Sequence, residues 1–300
     1  MQFGGNLASC LSFIIASLAL GTNPRPWQFA ALFAWSGLMG AVSLNFLKRI
    51  PESAPPQEPD GGAHPVPWLA MLRHPPFAKL LREVIAWSLA SGGMTAFTVL
   101  YLKTETGLAE GRILLITSMS FLGGLCSLWF LGSRLDGLGS KPVLTFSCAM
   151  WLIVLGGWAA LAGRALAPGY ALVLTLQFFM GLLAALVQMS NTRLAMAIIP
   201  VLGRNHFFAL FSVIGSVTLG LAPIAWGLLL DAIGSRHARW IGLEWNRYTV
   251  FFAAVAVAMA ATLALARRLD EPAAVSMDAL LREILIQSPQ RVWVRIWPRE

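Results

Sequence analysis

FSVIGSVTLGLAPIAWGLLLDAIGSR, residues 211–236, runs for 20 residues without an acidic or basic side chain and then closes on Leu-Asp-x-x-Gly-Ser-Arg. An α-helix rises about 1.5 Å per residue, so 20 apolar residues reach about 30 Å, the thickness of a bilayer's hydrocarbon layer. A charge inside that layer costs roughly 2.5–3.5 kcal/mol on insertion scales. The stretch therefore reads as a membrane-crossing helix with a polar stop. The rest of the chain repeats the pattern. Residues 1–24, 26–47, 84–102, 113–133, 142–163, 165–192, 205–230 and 248–266 contain no Asp, Glu, Lys or Arg. These windows predict eight transmembrane helices, near 4–21, 27–47, 83–102, 113–133, 142–162, 170–192, 206–230 and 248–266. The expected fold is an all-α integral membrane protein.

Composition agrees. The 300 residues are 57% hydrophobic and 12% charged, against roughly 25% charged in a soluble domain. The net charge of +8 invites a nucleic-acid reading, but no nucleic-acid motif accompanies it. The positive-inside rule accounts for it better. With the N-terminus in the cytoplasm, 15 of the 22 Lys and Arg residues fall inside and seven outside. That predicts a multi-pass protein of a bacterial cytoplasmic membrane with both termini cytoplasmic. Cys10, Cys126 and Cys148 all lie in apolar windows and read as small core residues. The first window lacks a basic flank and a small-residue cleavage pattern, so it reads as a retained helix.

The windows are unevenly spaced. Residues 1–47 hold two helices. Residues 48–82 form the one long loop, with eight prolines and Gly61-Gly62, and read as a cytoplasmic linker. Its end, WLAMLRHPPFAKLLRE, mixes Trp, Leu and Phe with cations and suits the headgroup layer. Residues 83–269 hold six helices joined by short loops. In the tail, 270–300, Met277, Leu280, Leu281, Ile284 and Leu285 share a helical face. The tail reads either as an amphipathic segment on the inner leaflet or as a disordered end.

The polar stop at 230–236 has a near-copy, LDGLGSK, at 135–141. One copy ends the fourth helix and the other the seventh, each the middle helix of a triplet. The eight-helix topology puts them on opposite faces of the membrane. Matching elements in two triplets of opposite orientation point to inverted repeats, as in secondary transporters. Gly139 and Gly234 are suited to positive φ at a helix end. Asp136 and Asp231 can accept from the free N–H groups of a neighbouring helix start. Lys141 and Arg236 can hold phosphates or pair with an acid. Alternatively, all are ordinary polar turn residues.

Here the chain resembles the major facilitator superfamily. The family's signature loop reads G-x-L-a-D-r-x-G-r-k, and Gly132, Asp136, Gly139 and Lys141 stand at the matching places. Arg134, Gly137 and Ser140 depart from it, as in the family's looser second copy. Gly215, Gly220, Pro223, Gly227, Asp231 and Gly234 look like its eleventh helix, and the proline-rich loop is similar to its central loop. The resemblance covers nearly all of the chain except the tail. It implies that helices one to eight correspond to the family's fifth to twelfth: a complete C-terminal six-helix bundle and a two-helix remnant of the N-terminal one, the first four being absent. Asp136 would then cap helix one near Phe3–Asn6, and the family's substrate cavity would lie between two bundles.

A polar path needs side chains that exchange water for solute. Helix three offers Trp87, Ser91, Thr95 and Thr98. Helix six offers Gln177, Gln188 and Asn191, with Gly181 and Ala184 between. Each set lies on one helical face, and the resemblance places both helices on the cavity. Ser and Thr in membrane helices also bond their own i−4 carbonyl, and small residues also serve packing. Glu83 reads as a solvated boundary charge or as a gate partner of Arg82 or Arg193. Arg193 reads as an anchor and His206 as an interfacial residue. No carboxylate is expected at mid-membrane, so any coupling ion is unspecified.

These features predict secondary active or facilitative transport of a small organic solute by alternating access, with this chain a truncated transporter. The alternative is a non-transporting scaffold or accessory protein on the same bundle. An enzyme is not expected: His64, His74, His206 and His237 are far apart and no acid–base pair converges. No cofactor or metal site is implied. The expected partners are the solute, the lipid bilayer and an unidentified coupling ion.

Overall fold

The computed structural model describes residues 2–49, 68–131, 139–199, 204–240 and 242–269. Ten helices and a two-stranded hairpin occupy them: α1 (Gln2–Leu20), α2 (Pro26–Leu47), α3 (Trp68–Arg73), α4 (Pro75–Gly92), α5 (Met94–Thr104), α6 (Glu110–Leu131), α7 (Ser140–Ala162), α8 (Tyr170–Ile198), α9 (Arg204–Ile233), β1 (Ala238–Trp240), β2 (Leu243–Trp245) and α10 (Arg247–Arg267). Eight spans are long and apolar enough to cross a membrane, α4 and α5 together making one of 30 residues. The chain is a multi-pass integral membrane protein. Residues 50–67 of the linker, the loop 132–138 and the tail (270–300) lie outside the described residues.

The spans alternate in direction. Turns after α1, α5, α7 and α9 share one end of the bundle, here the hairpin end. The start of α4 and the ends of α2, α6 and α8 share the other, the linker end. The third span begins eight residues earlier than its charge-free window predicts. Pro75 and Pro76 occupy the first helical positions, where a missing N–H costs nothing and a fixed φ helps. Lys79, Arg82 and Glu83 are therefore inside the helix rather than in a headgroup segment before it.

Neighbouring helices succeed one another in the order α9, α4, α10, α7, α8, α6, α1, with α4 also reaching α8. Helices α6 and α8 approach closest. A Cβ on Gly181 would collide with the Ser120 carbonyl, and one on Gly123 with that of Phe178. Small residues at such crossings let backbones touch where no hydrophobic force drives helices together. The main core, nearer the hairpin end, is aromatic. Tyr101, Trp158, Tyr248, Phe251 and Phe252 are buried, and the Trp158 and Phe252 rings stack at 5.7 Å.

Hydrogen bonds and ion pairs tie the hairpin end. Asn246 caps α10 by accepting from the backbone N–H groups of Tyr248 and Thr249, and its amide donates to the Ala162 carbonyl at 2.7 Å. Lys103 pairs with Glu110 at 3.0 Å and Arg164 with Glu244 at 3.3 Å. The edges of the bundle are α2, with none of its spanning window buried, and α9, with 11%, against 39–44% for the six-helix unit's other spans.

Helix α9 carries Pro223 inside it, opposite the α4–α5 break. Pro223 offers no N–H to the Leu219 carbonyl. That carbonyl faces Gly92, where a Cβ would lie 2.9 Å away. The Trp226 indole N–H donates to the Leu89 carbonyl at 2.8 Å, one turn before the break.

Candidate functional site

A cavity of about 400 Å³ opens among α1, α4, α5, α6, α7, α8 and α9. Trp87 and Ser91 of α4, Thr95 of α5, and Gln177 and Gln188 of α8 all line it. Five of the seven residues picked out by helical spacing thus meet around one space. Thr98 and Asn191 do not line it; both are buried, with the Thr98 hydroxyl and the Asn191 carbonyl oxygen lacking a partner.

The sequence pattern missed a second set of lining residues. Asn6 and Phe13 come from α1, Thr117, Ser120 and Phe121 from α6, and Trp151 from α7. A signal existed: Asn6 is the one amide in its span besides Gln2, and Thr117, Ser120 and Gly124 follow at helical steps of three and four. Nothing in α6 alone tells which of its faces meets α8.

The chemistry of the wall is neutral and hydrogen-bonding. Among the described residues, no charged side chain lines the cavity. The Gln177 carbonyl oxygen and the Trp151 indole N–H are buried without partners. A buried orphan acceptor and a buried orphan donor on one wall suit a solute carrying both groups. Ser91 donates to the Trp87 carbonyl at 2.8 Å, the back-bond that keeps such a hydroxyl inside its helix. Its oxygen still has a lone pair toward the cavity. Thr117 and Ser120 back-bond the same way. Trp87 and Trp151 meet edge to face with centroids 5.7 Å apart.

Glu83 departs from expectation. It is 0% exposed, and neither of its oxygens has a hydrogen-bond partner among the described residues. The Asn191 side chain is close enough to interact with it. The solvated-boundary reading is overturned. The cause is the early start of α4, which carries Glu83 two turns into the span.

Of the signature-loop residues, Gly132 and Asp136 lie outside the described residues. Gly139 takes φ +79° and precedes the first turn of α7, so it opens a helix rather than ending one. Lys141 follows in that first turn. Gly234 takes φ +58° and donates to the Leu230 carbonyl at 3.0 Å, ending α9. Asp231 and Arg236 are exposed at the hairpin end. Gly139–Lys141, the described part of the first copy, and the second copy sit at opposite ends of the bundle. His206, at the start of α9, is exposed and meets Trp68 edge to face.

A second depression, at the hairpin end, is lined by Arg164, His237, Arg239 and Glu244. Glu244 is shared by Arg164 and His237, at 3.3 and 3.5 Å, so it serves as a clamp between α7 and the hairpin.

No protein-family model and no curated protein sequence matches the chain.

Proposed function

We propose that the chain transports a small, neutral, hydrogen-bonding organic solute through the α4–α8 cavity, as a secondary or facilitative transporter of the major facilitator type. The observation that carries this is the convergence of Trp87, Ser91, Thr95, Gln177 and Gln188 on one uncharged cavity inside a membrane bundle. Amides and hydroxyls orient a solute, and the two indoles give it apolar faces to stack on. The opposing wall of an alternating-access path would come from helices other than those that line the cavity here. In the same proposal the membrane is the bacterial cytoplasmic membrane and both termini face the cytoplasm.

The test is a thermal-shift screen of neutral polar solutes on the purified protein in lipid nanodiscs, followed by uptake into vesicles. A binding solute should lose about 10–100-fold in affinity in Gln177→Ala and Gln188→Ala, the worth of one or two buried hydrogen bonds. A screen without hits, together with one stable protein partner captured by the intact chain, would identify a scaffold instead. The wholly unburied span of α2 is the feature that favours that second role.

A further inference from the structure

A second space lies between α2 and the rest of the bundle. It is a groove of about 590 Å³ walled by α1, α2, α5 and α6. Helix α2 stands across it rather than packing on its neighbours: Phe29 and Phe33 line the groove and are both exposed.

The groove has a depth and a direction. On α1 its lining runs from Leu20, in the last turn, back to Ser12. On α2 it runs from Phe29, in the first turn, to Ser36. Those runs of seven or eight residues are about 10–12 Å long at 1.5 Å per residue. Half of a hydrocarbon core is about 15 Å. The groove therefore starts at the hairpin end and follows most of one leaflet, closing near mid-membrane. Phe13, at its deep end, also lines the solute cavity.

The mouth differs from the depth. Lys103, in the last turn of α5, and Glu110, the first residue of α6, are the charged side chains that line the groove among the described residues. They lie 3.0 Å apart, with side chains 58% and 36% exposed. A pair so exposed is held weakly and opens readily to further charges. Arg112, two residues past Glu110, lines a different depression with Glu105, and Glu105 pairs with Arg247 at 3.9 Å. The mouth thus presents one cation beside one anion.

These two ends call for different chemistry. An empty apolar groove forfeits dispersion contacts, and water in it finds too few polar partners. The solvent at its open side is the acyl chain. A chain lying in the groove brings its headgroup to the mouth. There a phosphate suits Lys103, and a primary ammonium, with three N–H donors, suits Glu110. A choline head has no N–H to give, and a glycerol head has no cation. We propose that the groove is a binding site for one phospholipid of the hairpin-end leaflet with an amine-bearing zwitterionic head, as in phosphatidylethanolamine. One acyl chain lies between α1 and α2, the phosphate meets Lys103 and the ammonium meets Glu110. The site does not depend on the transport function proposed above.

The test is native mass spectrometry of the full chain in detergent, equilibrated with equal amounts of phosphatidylethanolamine, phosphatidylcholine and phosphatidylglycerol carrying identical acyl chains. Circular dichroism follows helix content. The expected result is one phosphatidylethanolamine retained per chain, about tenfold over either competitor, the worth of one charge-assisted hydrogen bond. Glu110→Gln should keep a bound lipid but lose that preference in favour of phosphatidylglycerol, whose phosphate Lys103 still meets. Lys103→Gln should weaken retention of all three. Ala16→Phe, which puts a ring into the groove, should abolish retention; if it loses helix, Glu110→Gln at the exposed mouth carries the test. No retained lipid, equal retention of the three, or a native preference for phosphatidylglycerol overturns the site. So does a preference unchanged in Glu110→Gln, or retention unchanged in an Ala16→Phe chain of native helix content. A dimer mass free of lipid overturns it too, by making the groove a contact between two copies of the chain.

Discussion

Asn246 shows how much one side chain can hold. Its oxygen accepts the first free N–H groups of α10, and its amide reaches across to the Ala162 carbonyl at the end of α7. Replacing it with Ala removes a cap and orphans a buried carbonyl. Asn246→Ala should cost about 2 kcal/mol, seen as a lower melting temperature with unchanged helix content below the transition. This cap is written in the sequence as an Asn just before a long apolar run. Trp87, Ser91, Thr95, Gln177 and Gln188 were legible for a similar reason: polar residues at helical spacing in an apolar helix have few other uses. Glu83 was not. A lone charge at the border of an apolar window marks the helix end only if the helix starts there, and the prolines at 75 and 76 start it earlier. Thr98 has the right spacing but is buried in the core, one turn past Thr95, which does line the cavity.

At the level of elements, the α6–α8 crossing is the tightest contact and depends on two hydrogen atoms, the missing side chains of Gly123 and Gly181. Gly181→Leu should push the helices apart and abolish the cavity they share, giving a chain that melts lower and elutes broadly on size exclusion. Gly156→Ala, at a glycine with nothing within 4 Å of its would-be Cβ, should behave as the native protein. Span number and approximate limits follow from the absence of charge. Which glycines are crossings and which merely face lipid does not, because sequence gives the residue and not its neighbour. Pro223 is similar: its lost hydrogen bond is evident from the sequence, but not that the freed Leu219 carbonyl meets the break in the third span.

For the whole molecule, an even number of spans sets both termini of the described bundle on one face. In a background with its three cysteines replaced, Ala167→Cys and Arg236→Cys should react with an impermeant maleimide from one side of sealed membranes. Lys48→Cys and Arg204→Cys should react only from the other. Mixed labelling within either pair would break the topology. The positive-inside count predicts that the second pair is cytoplasmic.

The helices of this bundle are not cut to one measure. Helices α8 and α9 have 29 and 30 residues, while α10 has 21, so rods of roughly 44 Å stand beside one of about 32 Å. No single lipid chain length suits both. In a thin membrane the long pair must lean or jut into water, and in a thick one the short helix draws the surrounding lipid inward. The acyl chains around the protein thereby set the inclination of two helices that wall the cavity, so its shape depends on membrane thickness.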